Sequence, residues 1–357
     1  MSHAPGANVV PIDPDHVDAG AVRRVAEVLR GGGIVALPTE TVYGLGCHAF
    51  DPQAVARVFA AKGRPATDPL IVHVDGPQQL ATVTDGPLPE AAAALADAFW
   101  PGPLTLVVPR NPVLPHPVTA GLDRVAVRAP SHPVFVAVLA ECGFPIAAPS
   151  ANRFGHVSPT SAAHVVADLG DRCDLIVDSG PCERGLESTV VTFTDEVAVV
   201  LRHGAVTIEA LRAACPLPVV DVRADHRTAA ASPGHDERHY SPTTPTVAVR
   251  AAVLGGAAPL DGLPASGVTY VGYRDRPPHL PAGWAVESFG DLARIEDVAR
   301  HLYATLRRVD EGRPERIVVE LTGVEGLGRA IDDRLTRAAS SRVTDDVGAL
   351  AAALART

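Results

Sequence analysis

The chain has 357 residues, 46% of them hydrophobic, which is long enough for two domains with their own cores. Its 31 basic and 41 acidic residues give a formal charge of −10, which argues against a general nucleic-acid binder and leaves room only for a local, weak RNA contact. Five scattered cysteines without a CxxC pair fit free thiols in a reducing cytoplasm, and no leader-like segment or membrane-length apolar run is read, so a soluble cytoplasmic protein is expected.

In chain order, Val22, Val25, Ala26 and Leu29 predict an amphipathic helix over 18–30. Three glycines then lead into Ile34-Val-Ala-Leu37, a short buried strand stopped by Pro38. The loop after it carries Thr39, Thr41 and Tyr43 at a strand's C-terminal end, where α/β sheets usually place ligands. Asp51 and Pro52 read as N-cap and first residue of a helix that buries Val55, Val58 and Phe59 and stops at Gly63. At its end, Lys62 is the single lysine of the chain, beside 30 arginines. A point charge fitted to a phosphate or carboxylate oxygen is one reading; chance, or a cation answering the helix dipole, are the others.

Further on, 91–99 reads as a helix and Leu104-Thr-Leu-Val-Val108 as a strand. Arg124-Val-Ala-Val-Arg128 is a strand with both arginines on one face, directed at an anionic ligand or at solvent. A helix over 131–142 leads to the strand Pro145-Ile-Ala-Ala148 and the small-residue turn Pro149-Ser-Ala-Asn152. A helix from Ser158 through Leu169, a strand over 174–178 and an antiparallel pair at 188–192 and 197–201 follow. Helix and strand alternate to about Ala214, which predicts a twisted mixed α/β sheet domain over 1–214, with parallel and antiparallel order undecided. Residues 215–245 read as a linker with an unusual charged and aromatic run, His235 to Tyr240. A smaller α/β domain over 246–357 is expected, with strands at 246–250, 267–271 and 316–321 and helices at 297–309 and 327–339.

No P-loop, GxSxG, HExxH or kinase signature is present. The chain offers cations (Lys62, Arg64, Arg128, Arg202) and hydroxyls (Thr39, Thr41, Ser150, Ser158, Ser188, Thr189), an inventory suited to positioning and charge neutralisation.

Several ordered blocks resemble the YrdC-like threonylcarbamoyl-AMP synthases in their two-domain form with a C-terminal Sua-type domain. They are Pro38-Thr-Glu-Thr-Val-Tyr-Gly-Leu-Gly46, Lys62-Gly-Arg-Pro65, Pro69-Leu-Ile-Val-His73, Gly121-Leu-Asp-Arg-Val-Ala-Val-Arg128, Pro149-Ser-Ala-Asn152, Gly185-Leu-Glu-Ser-Thr-Val190, Leu201-Arg202, and the linker ends Ser232-Pro-Gly234 and Arg238-His-Tyr240. The resemblance implies a YrdC-like catalytic domain, a Rossmann-like second domain, and a nucleotidyl transfer in which L-threonine, bicarbonate or CO2, and ATP give threonylcarbamoyl-AMP and pyrophosphate. Magnesium is then expected with the ATP, without a protein-held metal motif, and a downstream threonylcarbamoyl transferase complex is expected to pass the product to tRNA. It places Thr41, His73, Arg128, Ala148 and Ser188 around the amino acid. Around the nucleotide it places Lys62 and Arg64, which are also the expected catalytic residues, with Asp68, Arg124, Ser150, Asn152, Ser158, Arg202 and Tyr240. It makes 232–240 a lid over the nucleotide, with Tyr240 outside both cores. Asp68 departs from the family's usual asparagine, Arg124 from its common threonine, and His235-Asp236-Glu237 from Met-Lys-Tyr; Arg124 is the expected compensation for Asp68. The rival readings are an RNA-binding or ribosome-maturation module, and carbamoyl transfer within a larger maturation protein whose acylphosphatase and zinc-finger segments this chain lacks.

Overall fold

The computed structural model describes residues 7–221, 240–255, 262–273, 276–277 and 279–355. They form two compact units; the second takes the chain from Tyr240 onward together with the short segment Gly155–Val157.

The first unit is built on an 11-stranded sheet. Its strands are β1 (Val9–Pro11), β2 (Val35–Leu37), β3 (Gly44–His48), β4 (Ile71–His73), β5 (Leu104–Pro109), β6 (Arg124–Arg128), β7 (Ile146–Ala147), β8 (Leu175–Asp178), β9 (Thr189–Phe193), β10 (Ala198–Arg202) and β11 (Val219–Asp221). They lie in the order β1-β8-β2-β3-β7-β4-β6-β5-β9-β10-β11. Parallel and antiparallel neighbours alternate irregularly: β4 runs parallel to β6, whereas β3 and β4 both run antiparallel to β7. The sheet is therefore mixed.

Apolar residues on the two faces build separate cores. The helix Ala19–Arg30 is started by Asp18, whose carboxylate accepts the Ala21 N–H, and it buries Val22, Val25, Ala26 and Leu29. With the helix Pro133–Cys142 it covers one face beside β2, β7 and β8. The helix Pro52–Lys62 packs on the opposite face, capped by Asp51 at one end and by left-handed Gly63 at the other, as its sequence predicts. Farther along the first face, Ile71, Val107, Ala126, Val190, Val199 and Leu201 form an apolar patch made of strand residues alone.

Three local expectations change. The helix expected from Ser158 begins at Ala162, because Pro159 and Thr160 give their carbonyls to Tyr43 and Cys182, and Ser161 caps the helix instead. Strand β3 occupies part of the expected hydroxyl loop. The segment expected to open the linker supplies β11, parallel to β10, so the sheet runs past residue 214. Residues 222–239, which carry most of the expected lid, lie outside the described residues.

The second unit has a five-stranded sheet of β12 (Thr246–Val249), β13 (Ser266–Gly272), β14 (Gly283–Ser288), β15 (Arg316–Glu320) and β16 (Val343–Thr344), ordered β14-β13-β15-β12-β16. Every neighbouring pair is parallel. Its helices Ile295–Glu311 and Leu327–Ala338 match the two predicted helices to within two residues at each end. Edge strand β14 was not expected; glycine and proline flank it, and only Trp284 is fully buried.

Candidate active site

Strands β4 and β6 set the register of the site. His73 pairs with Arg128 and Ile71 with Ala126, so the period-two pleat puts all four side chains on one face. Arg124 begins the same strand but is exposed, donating to Thr192 Oγ1 at 3.2 Å and the Val107 carbonyl at 3.4 Å.

The expected amino-acid residues converge on Arg128. Its Nη1 donates to Thr41 Oγ1 at 2.9 Å, its Nε to the Gly102 carbonyl at 3.1 Å, and its Nη2 lies 2.6 Å from Glu40 Oε1. Thr41 is fixed by the turn before it, in which Thr39 Oγ1 accepts the N–H groups of Thr41 and Val42 at 3.1 Å each. Burial pushes the Glu40 carboxyl up, but the Arg128 guanidinium outweighs it and holds the group below the ordinary carboxylate range. Burial and then Arg128 push His73 down to about 3, so its imidazole is neutral. Ala148 sits where β7 meets β4, its N–H donating to the Ile71 carbonyl at 2.9 Å. Opposite it stands Gly44, where a Cβ would come within 3.2 Å of the Ala148 methyl.

Ser188 and Arg202 form an adjoining group at the ends of β9 and β10. Arg202 Nη2 donates to Ser188 Oγ at 3.1 Å and to its carbonyl at 3.0 Å, and Ser188 Oγ meets Thr105 Oγ1 at 2.7 Å. Ser188 belongs to the expected amino-acid set and Arg202 to the nucleotide set, so the two sets meet here. Gly204 makes the approach possible, since a Cβ there would lie 2.3 Å from the Glu187 carbonyl oxygen.

In the set expected around the nucleotide, Lys62 is 3% exposed and its ammonium donates to the carbonyls of Ser150 at 2.5 Å and Asn152 at 2.6 Å. The helix-dipole alternative is therefore replaced: Gly63 closes the helix, and the lysine reaches across to hold the Pro149–Asn152 turn. Burial, then the charge of Arg64, push the Lys62 pKa well below its ordinary value. Arg64 donates to the carbonyls of Asp68 and Pro69 and lies 2.8 Å from the Asp68 carboxylate. Asp68 is thus compensated by Arg64, and the expected compensation by Arg124 is corrected. Ser158 donates to Glu187 Oε1 at 2.6 Å.

Tyr240 lies in the second unit. It is 1% exposed, stacks on Tyr303 at 5.8 Å between ring centroids and carries the Arg334 guanidinium 5.1 Å above its ring. The expectation that it stands outside both cores is corrected.

Sequence reasoning passed over two residues. Glu40 and Glu187 sit inside the quoted blocks, each beside an expected site residue, and the signal was a carboxylate among hydroxyl and apolar neighbours. Both are buried. The inventory of bare cations therefore becomes a set in which Arg128 and Arg64 are paired with carboxylates while Lys62 is held by carbonyls.

Residues 27–204 match the Sua5_yciO_yrdC family, described as telomere recombination, and residues 206–340 match the threonylcarbamoyl-AMP synthase C-terminal domain. The chain is 41% identical over 326 residues to the threonylcarbamoyl-AMP synthase of Bacillus subtilis, covering 90% of this chain and 94% of that protein. It is 37% identical to the Pyrococcus abyssi threonylcarbamoyl-AMP synthase, covering 92% and 97% of the two chains. The crystal structure of P. abyssi Sua5 complexed with L-threonine superposes with a TM-score of 0.82 at 34% identity, over 94% of this chain and 99% of that one. With motifs, both sheets and relatives agreeing over nearly its full length, the chain belongs to the threonylcarbamoyl-AMP synthase family.

Proposed function

We propose that the first unit condenses L-threonine, bicarbonate or CO2, and ATP into threonylcarbamoyl-AMP and pyrophosphate at the site built around Arg128 and Lys62. The observation that carries this reading is the placement of a hydroxyl and a guanidinium, Thr41 and Arg128, 2.9 Å apart on the sheet face, in a chain whose relatives are threonylcarbamoyl-AMP synthases. Threonine's amine adds to CO2 and releases a proton. A carbamate oxygen then attacks the α-phosphorus of ATP, and the bond from that phosphorus to the β-phosphate oxygen breaks.

No side chain needs to serve as nucleophile. The protein's work is to hold the carbamate in line and to meet charge on the departing pyrophosphate. Thr41, His73, Arg128, Ala148 and Ser188 line the amino-acid end. Lys62, Arg64, Ser150, Asn152, Ser158 and Arg202 line the nucleotide end, and Lys62 brings a charge not cancelled by a carboxylate at hydrogen-bonding distance. Magnesium enters with the ATP as part of the substrate. Two carboxylates beside this set are already engaged, Asp68 by Arg64 and Glu187 by Ser158. The product would pass in the cytoplasm to a threonylcarbamoyl transferase complex acting on tRNA, with at most weak RNA contact by this chain.

Pyrophosphate release, measured with each substrate omitted in turn, tests the reading. Release is expected to need L-threonine and bicarbonate as well as ATP, with L-serine a poor replacement; equal release without threonine would overturn it.

A further inference from the structure

Glu40 shares a turn with Thr41, yet none of the contacts assigned above to substrate uses it. Its side chain is 4% exposed, and a carboxylate buried that deeply must be paired. Oε1 is paired, with Arg128 at 2.6 Å and the Ser131 N–H at 3.3 Å. Oε2 is as deeply buried and accepts no hydrogen bond. A purely structural ion pair has no reason to leave one oxygen unsatisfied, because a buried acceptor without a donor destabilises the fold. Arg128, for its part, commits Nε to Gly102 and Nη1 to Thr41, so the two side chains form a buried pair with no net charge.

An amino acid is also a pair of opposite charges with no net charge. We infer that Glu40 is a specificity-determining residue of the amino-acid site: Arg128 and Glu40 together form a receptor for a zwitterion, with Arg128 meeting the substrate carboxylate and Glu40 Oε2 accepting from its ammonium. This rests on the reading that L-threonine binds at Arg128. A ligand with a carboxylate and no amine meets a guanidinium whose charge is already cancelled, and it leaves Oε2 unfilled. The pair thereby rejects hydroxy acids that match threonine in shape.

The test is calorimetric titration of L-threonine and of 3-hydroxybutyrate, which is threonine without its amine, into the full-length wild type, Glu40→Gln and Glu40→Asp. Wild type is expected to favour threonine at least about tenfold, the contribution of one charge-assisted hydrogen bond. Glu40→Gln should weaken threonine at least about tenfold and strengthen 3-hydroxybutyrate, because Arg128 then lacks its counter-charge. Glu40→Asp, which keeps the charge, should keep the preference for the zwitterion, and ATP affinity should hold in both variants. A damaged fold would weaken both ligands together. That result in Glu40→Gln, an unchanged threonine preference, or loss of the preference in Glu40→Asp would each overturn the inference. Failure of the wild type to bind threonine at all would instead overturn the underlying placement of the substrate.

Discussion

Arg128 and Lys62 are both buried cations of the first unit, and they are held in opposite ways. Arg128 lies against a carboxylate, so its charge is cancelled before any ligand arrives. Lys62 lies against two carbonyls, which accept its hydrogen bonds and bring no counter-charge, while burial pushes its pKa down. The second unit buries a third cation, Arg334, between the Tyr240 ring and Asp333 at 2.8 Å. A cancelled charge suits a zwitterion, a surviving charge suits a phosphate, and a cation over an aromatic ring in a core serves the fold. Burial alone does not separate these roles; the partner does.

The sharpest way to break this comparison is to remove one member of the cancelled pair. Arg128→Ala leaves Glu40 as a lone buried carboxylate and should cost about 3–5 kcal/mol in urea unfolding, much of it recovered when Glu40→Ala is added. A loss no larger than a surface substitution would show that the pair contributes little to the fold. Tyr240→Ala takes the ring from beneath Arg334 and should cost about 3 kcal/mol or more, seen as a drop of several degrees in calorimetric melting, while Tyr240→Phe keeps most of the stability. A shift within about two degrees would put the ring outside the core after all. Lys62→Arg should lower kcat/KM for ATP at least about tenfold, or 1.4 kcal/mol of barrier, since a planar fork does not fit a two-carbonyl socket. Wild-type turnover in that variant would remove Lys62 from the phosphate end.

His73 provides an effect confined to acid. The unfolded chain takes up its proton near 6.5 and the folded chain only near 3, so the folded state binds fewer protons between those values. Stability therefore falls as pH drops through that window, by up to about 1.4 kcal/mol per pH unit, and is unaffected above it. His73→Leu should flatten that slope in denaturant titrations at pH 4 to 6.5; an unchanged slope would show that His73 is not the group responsible.

Much of the first domain was legible because its strands are short valine, isoleucine and leucine runs between turn residues, and one helix carries capping residues that the structure uses, Asp51 and Gly63. Strand β3 was not, because Gly44-Leu-Gly-Cys-His48 reads as a loop. Its glycines answer to neighbours remote in sequence: a Cβ at Gly46 would lie 2.9 Å from the Ile146 side chain. The site shows the same division. Thr41, His73 and Arg128 could be named from their blocks, but that Glu40 faces Arg128, and that Arg64 rather than Arg124 faces Asp68, follows from sheet register and loop closure. Local pattern carries no information about those pairings. Tyr240 was misjudged for the same reason, since its proximity in sequence to a linker said nothing of its packing against Tyr303 and Arg334.

The division of labour between the two cations is tested most directly by steady-state pyrophosphate release in Arg128→Lys and Lys62→Ala, each titrated separately with L-threonine and with ATP. Arg128→Lys should raise the KM for threonine at least about tenfold and leave that for ATP nearly unchanged, and Lys62→Ala should lower kcat/KM for ATP while sparing the KM for threonine. Equal effects of both variants on both substrates would contradict a site with separate amino-acid and phosphate ends.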